Sequence, residues 1–241
     1  MKLQAPDPPI AIALDTPDAE PALGIVDRFA GRVPIFKVGL ELFCAEGPRI
    51  VDEIRQRGAG VFLDLKVNDI PKQAFGAVRS AARRGVSFLT VHGNGGRAMV
   101  RAAVEAASGT GTSILVVSVL TSLDGSELRE IGVHRGVPAQ VGAMAEMAEG
   151  EGAHGLVLGS GEVAAVRDRH PDLFLVTPGI RLGGADGGDQ RRVGTPRQAA
   201  AAGADLLVVG RALTGADDAD GALAEILREV SEGRADSRAL T

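Results

Sequence analysis

Tryptophan and tyrosine are missing from this chain of 241 residues, phenylalanine occurs only seven times, and Cys44 is the single cysteine. Without indole or phenol rings, the chain cannot stack nucleobases on those side chains as single-strand binders do. One cysteine excludes an intrachain disulfide and a thiolate metal cluster, and suits a reducing, cytoplasmic location. No apolar stretch approaches the roughly 20 residues of a membrane span, so no membrane partner is expected. The opening MKLQAPDPPIAIALD has an apolar run too short, and too broken by prolines and Asp15, for a signal peptide. An excess of positive charge is lacking too. Lys and Arg number 26 against 31 Asp and Glu, a net charge of −5. With no basic stripe either, nucleic acid is not an expected partner. The four histidines, His92, His134, His154 and His170, are scattered without metal-ligand spacing.

What is present is apolar material in a regular rhythm. Hydrophobic residues make up 45% of the chain, ample for one large core. Short, mostly β-branched runs recur: PIAIALD (9–15), IFKVG (35–39), GVFLDLK (60–66), FLTVHG (88–93), SILVVSVLT (113–121), GLVLG (155–159), LFLVTPG (173–179) and LLVVGRA (206–212). Alanine-rich helical segments separate them, at about 18–30, 47–57, 71–84, 95–107, 137–150, 162–169, 195–202 and 217–232. The helix beginning GTPRQAAAAG is well marked, with Thr195 as N-cap, Pro196 at its first position and Gly203 as its stop. Near-continuous apolar strands alternating with helices imply a parallel sheet covered on its faces. Eight such units match a single-domain (β/α)8 TIM barrel over residues 1–241. Counting alone leaves a doubly wound open sheet as a rival. Residues 232–241 read as a frayed polar tail.

Polar residues gather at the ends of these runs: Asp15, Lys37, Asp64 with Lys66, His92, Thr121 with Ser122, Thr177 and Arg211. In a parallel barrel those ends open on one face, where barrel enzymes do their chemistry. Asp64 and Lys66, two apart on a strand, share a face, with Leu63 and Leu65 on the other. Lys37 should point inward beside them. Asp69 lies beyond the strand, before Pro71 opens a helix. The bland alternative is an ion-pair network that only satisfies buried charge. Buried ion pairs are a weak source of stability, and Val or Leu would serve a core as well.

DLKVNDIP, residues 64 to 71, resembles the D-x-K-x-x-D-I-P signature of the orotidine 5′-phosphate decarboxylase family. The resemblance spans nearly the whole chain, through ALD, FKVG, VHG, VLTSL, TPGIR, GDQRR and VVGRALT in order. It implies removal of CO₂ from the pyrimidine of orotidine monophosphate, giving UMP, with no metal or other cofactor. Lys66 would stabilise the carbanion and protonate it. Asp64 would sit against the substrate carboxylate. Two like charges about 4 Å apart repel by roughly 4 kcal/mol at an effective dielectric near 20, at most about three decades in rate. Preorganised electrostatics at Lys66 therefore carries more weight than repulsion. By the same resemblance, Lys37 positions Asp64 and contacts the ribose, and Asp15 binds a ribose hydroxyl. Asp69 would reach into a partner's site across a homodimer. The family commonly has Thr four residues after this acid; here Gln73 stands, whose amide could replace that hydrogen bond.

At the other end of the substrate, the loop RLGGADGGDQRRVGTP (181–196) reads either as a flexible exposed loop or as a phosphate lid. Barrels commonly hold phosphate with the loops after strands seven and eight. Arg211 offers a planar fork to phosphate oxygens, Gly210 lets the backbone approach, and Gln190 matches the family's lid glutamine. Pro178 belongs to the same substrate-binding set, and Ser122 matches a family residue near the pyrimidine. Arg181, Arg191, Arg192 and His92 receive no assigned role. GNGGRA (93–98) and GSGEVA (159–164) fit a dinucleotide fingerprint but lack its distant acid. The alternatives are a Mg²⁺-dependent sugar-phosphate lyase, a Schiff-base aldolase using Lys66, and a phosphate-binding barrel without catalysis.

Overall fold

The computed structural model describes residues 3–183 and 192–239. Eight parallel strands close into a barrel in chain order. They are β1 (Ile10–Leu14), β2 (Ile35–Val38), β3 (Gly60–Val67), β4 (Phe88–His92), β5 (Ser113–Val117), β6 (Gly155–Val157), β7 (Phe174–Thr177) and β8 (Leu206–Val209). Closure is made by β1 and β8, with Ile10 opposite Leu207 and Ile12 opposite Val209. The open-sheet alternative is thereby eliminated. Every expected strand is present; β3 extends one residue past its run to Val67, and the others are shorter than theirs because the flanking residues leave the sheet.

Alternation along each strand divides the apolar residues into two layers. Ile12, Phe36, Leu63, Leu89, Val116 and Leu175 face the surrounding helices. Ala11, Ile35, Phe62, Phe88, Leu115, Phe174 and Val208 fill the barrel itself. Phe62 packs edge-on against Phe88 at 5.8 Å, and Phe88 stacks on Phe174 at 5.6 Å. Burying each such side chain contributes on the order of 1.5–3 kcal/mol. Gly155 makes room for this plug, since a Cβ there would overlap the Phe174 carbonyl oxygen. The barrel is thus a packed floor, and only its C-terminal mouth is free for chemistry.

Four helical segments depart from expectation, one of them Arg211–Thr214, which turns the end of the run read as the eighth strand into a short helix. Leu40–Glu46 forms its own helix before Arg49–Gln56; it buries only Leu42, so it carries little periodic signal. Gly125–Glu130 is helical, started by a capping box between Asp124 and Glu127, a D-x-x-E signal legible in the sequence. Residues from 232, expected as a frayed tail, continue the last helix, Ala219–Ala239. Arg197 holds that extension through Glu232 at 3.3 Å and Asp236 at 2.9 Å.

Candidate active site

The charged residues converge at the mouth of the barrel in an alternating row. Lys37 Nζ lies 3.0 Å from Asp15 Oδ1 and 3.9 Å from Asp64 Oδ2. Lys66 Nζ donates to the same Asp64 oxygen at 2.8 Å. The Asp64 side chain is 14% exposed and that of Lys37 only 11%. Each carboxylate therefore faces an ammonium, which offsets much of the cost of removing these charges from water.

Their placement depends on an irregularity in β3. The β3–β4 ladder runs in register at Leu63 opposite Leu89 and resumes at Val67 opposite Val91. Three residues of β3, Asp64 to Lys66, thus stand against Thr90 alone. Two extra residues preserve the alternation, so Leu65 and Val67 still pack outward while Asp64 and Lys66 line the cavity. The bulge bends the chain so strongly that Lys66 takes φ +49°, the only positive φ outside glycine among the described residues. Such a conformation costs an L residue roughly 1–2 kcal/mol. Thr90, fully buried, accepts a hydrogen bond from the Lys66 N–H at 2.9 Å and donates one to Asp64 Oδ1 at 2.9 Å. In sequence Thr90 is marked only by a hydroxyl at an inward position of an apolar strand, and it is not among the residues expected at the site.

A cavity of about 550 Å³ opens over this row. Asp15, Lys37, Asp64 and Lys66 form one wall, and Val117, Val119, Val157, Leu158 and Val208 form an apolar one. Thr121, Pro178, Arg181, Gly210 and Arg211 also line it. Its size and mixed lining suit a small ligand with one apolar flat part and several polar groups. A Cβ at Gly210 would lie in ordinary contact with Asp15 Oδ2, at 3.4 Å, and with the Ala13 Cβ, at 3.6 Å.

Not all expected residues join the wall. Ser122 is exposed and outside the lining; its neighbour Thr121 occupies that place. Asp69 is exposed, its Oδ1 accepting the Ile70 N–H at 2.7 Å. Gln73 is exposed on the following helix. Gln190 and Arg191 lie outside the described residues. Arg192 has a definite role in the architecture. It pairs with Glu162 at 2.7 Å and donates to the carbonyls of Val119 at 2.7 Å and Leu120 at 3.0 Å. It fastens the end of the loop after β7 to the segment that carries Thr121. A bridge between Ile180 and Gly194 pins the two ends of that loop together.

His92 ends β4 and accepts the Asn94 N–H on Nδ1 at 3.2 Å, which leaves the proton of the neutral ring on Nε2. Burial and then the positive charge of Lys66 lower its pKa. Among the described residues, no three His, Cys, Asp or Glu side chains are grouped to hold a metal ion, and no helix is long and apolar enough to cross a membrane.

A closed parallel barrel with ammonium and carboxylate groups interleaved at its C-terminal mouth defines a (β/α)8 enzyme built to manage charge that develops on a bound organic molecule. Comparison with known proteins narrows the class. The chain belongs to the orotidine 5′-phosphate decarboxylase / HUMPS family, whose model matches residues 8–226. Orotidine 5′-phosphate decarboxylase of Alkalilimnicola ehrlichii is 49% identical over 225 residues, covering 92% of this chain and 96% of that protein. The enzyme of the same name from Thermobifida fusca is 47% identical over 226 residues, covering 93% and 96%. The crystal structure of orotidine 5′-phosphate decarboxylase from Lactobacillus acidophilus superposes with a TM-score of 0.77 at 31% identity, covering 92% of this chain and 98% of that one.

Proposed function

We infer that this chain is a carboxy-lyase that converts orotidine 5′-monophosphate to UMP and CO₂, a step of pyrimidine biosynthesis, and that it needs no metal or cofactor to do so. The observation that carries this is the Asp15–Lys37–Asp64–Lys66 row, in a chain so similar to enzymes of that name.

In this mechanism the bond between the pyrimidine ring and its carboxylate breaks. CO₂ leaves, and the electron pair stays on the ring carbon. That pair has no good electron sink, so the barrier falls only if fixed positive charge already waits beside it. Lys66 provides the ammonium. Its proton then passes to the carbon, giving the ring C–H of UMP, and water restores the lysine. Asp64 faces the departing carboxylate and holds Lys66. Lys37 spans Asp64 and Asp15, and the outer pair contacts the ribose hydroxyls. The apolar wall of Val117, Val157 and Val208 shields the uncharged CO₂ and excludes water. Arg211, Gly210 and Gln190 take the phosphate, with Pro178 bordering the base. Binding energy from that remote phosphate drives closure and alignment at the reacting carbon.

The chain acts as one barrel domain in the cytoplasm and as a homodimer. Asp69 enters the partner's site. This accounts for an acid that is exposed and outside the lining of its own cavity, next to Ile70 at 64% exposure. A large apolar side chain so exposed beside a functional acid is what an interface would cover.

The test is an ultraviolet assay for loss of orotidine monophosphate, run with and without EDTA. Turnover that persists in chelator supports the cofactor-free reaction. Turnover abolished by chelator and restored by Mg²⁺ would overturn it in favour of the sugar-phosphate lyase chemistry.

A further inference from the structure

We propose that Thr90 is a positioning residue that sets both the carboxylate of Asp64 and the backbone of Lys66 for the reaction. The inference rests on the decarboxylase reading above and concerns a residue to which that reading gives no part.

The argument begins with the ladder. In a regular strand the odd residues of β3 bond toward β4, as Val61 does in accepting from the Ser87 N–H, and the even ones toward β2, as Gly60 does in donating to the Pro34 carbonyl. An undistorted Lys66 N–H would therefore point away from β4. The bulge between Leu63 and Val67 takes Lys66 out of that pattern. Its N–H goes instead to Thr90 Oγ1, at 2.9 Å. A hydroxyl has one proton, and because its oxygen already accepts from Lys66, that proton is free to be directed outward. It goes to Asp64 Oδ1, at 2.9 Å. The donor and acceptor roles are therefore fixed by geometry. Asp64 Oδ2 is left to the Lys66 ammonium at 2.8 Å.

One buried hydroxyl thus closes a ring. It runs from the Lys66 backbone through Thr90 to the Asp64 carboxylate, and back through the Lys66 ammonium. The ring holds Lys66 at its left-handed φ of +49°, a conformation that an unsupported lysine would leave. Without the hydroxyl, the Lys66 N–H loses its acceptor, and the Asp64 carboxylate loses the bond that fixes Oδ1, leaving only the contacts of Oδ2 with Lys66 and Lys37 to orient it. Lys66 Nζ would then shift with both. Displacement by a fraction of an ångström leaves ligand binding intact but degrades the alignment that catalysis requires. Thr90 is absent from the cavity lining, so it acts only through its two neighbours.

The test compares Thr90→Val, which keeps the shape and removes the hydroxyl, with Thr90→Ser, which keeps the hydroxyl. Both are measured against the parent on orotidine monophosphate, together with UMP affinity by calorimetry. In Thr90→Val, kcat is expected to fall about 30-fold, or about 2 kcal/mol at 1.36 kcal/mol per decade, with KM and UMP affinity within about threefold. Thr90→Ser should stay within about threefold of the parent in kcat. A packing role alone predicts the reverse order, because serine loses the methyl and valine does not. Thr90→Val at the parent kcat, Thr90→Ser as slow as Thr90→Val, or a loss carried wholly by KM would each overturn the proposal. Thr90→Ala gives the same reading if Thr90→Val does not fold. A parent protein inactive on orotidine monophosphate would instead refute the decarboxylase reading, so the two failures are distinct.

Discussion

Replacing Lys66 with alanine removes the ammonium 2.8 Å from Asp64, and its consequences can be worked through. In the resting enzyme, Asp64 keeps Lys37 at 3.9 Å and the Thr90 hydroxyl at 2.9 Å, so the site retains much of its form. The transition state loses far more. A carbanion about 3.5 Å from an ammonium is stabilised by roughly 5 kcal/mol at an effective dielectric near 20, about three and a half decades in rate. Loss of the proton donor removes roughly two to four further decades. Lys66→Ala should therefore lower kcat by roughly 3 × 10⁵ to 3 × 10⁷, while UMP affinity changes less than about tenfold. Single-turnover loss of orotidine monophosphate measures the first quantity, and calorimetric titration with UMP the second. A folded variant within about 100-fold of the parent kcat would refute the role of Lys66. The backbone supplies an independent control. Because φ at position 66 is +49°, Lys66→Gly should be more stable than Lys66→Ala by about 1 kcal/mol, reversing the usual order within a strand. Urea denaturation decides that point.

Three other outcomes are expected. Arg192→Met should cost about 3 kcal/mol or more in urea denaturation by stranding Glu162, whose side chain is only 12% exposed, and adding Glu162→Gln should restore part of that loss; equal stability of single and double variants would count against the staple. Mixing Asp69→Ala with Lys66→Ala chains should recover about a quarter of the parental sites if each site takes Asp69 from the partner of a symmetric dimer, and none if sites are confined to one chain. Stability should decline as pH falls below about 6.5, the ordinary histidine value. Burial lowers the pKa of both His92 and His154, so the unfolded chain takes up protons in that range before the folded one does. Denaturation curves at pH 7.5 and 5.5 check the sign, and the His92→Gln/His154→Gln double variant should show a smaller difference between them.

Much of this protein could be read without coordinates, because the relevant signals are local. Eight apolar runs announced eight strands, since a strand buried on both faces must be apolar along its length. The ends of those runs located Asp15, Lys37, Asp64 and Lys66 on one rim. The Thr195 and Pro196 helix start is observed as read, with a capping box to Gln198. The reading fell short where a local signal was answered by a distant partner. Gly233 is a helix-breaking residue in sequence, yet it lies within the last helix, where the close approach of the Arg197 carbonyl oxygen leaves no room for a Cβ.

What the sequence alone determined is the eight alternating strand–helix units and the strand ends that carry the charge, because periodicity fixes which face a side chain takes; closure of the sheet between β1 and β8 belongs to the tertiary structure. The tertiary structure alone also decided the register of β3 on β4. From it follow the three residues set against Thr90 and the left-handed turn at Lys66. Fastening of the loop after β7 by Arg192 is equally invisible in one dimension. These features arise between segments some 24 to 73 residues apart, and no local pattern records how far one strand slides along another. The physical reason is that alternation repeats every two residues, so a slip of two leaves every face unchanged while moving the chemistry to new neighbours.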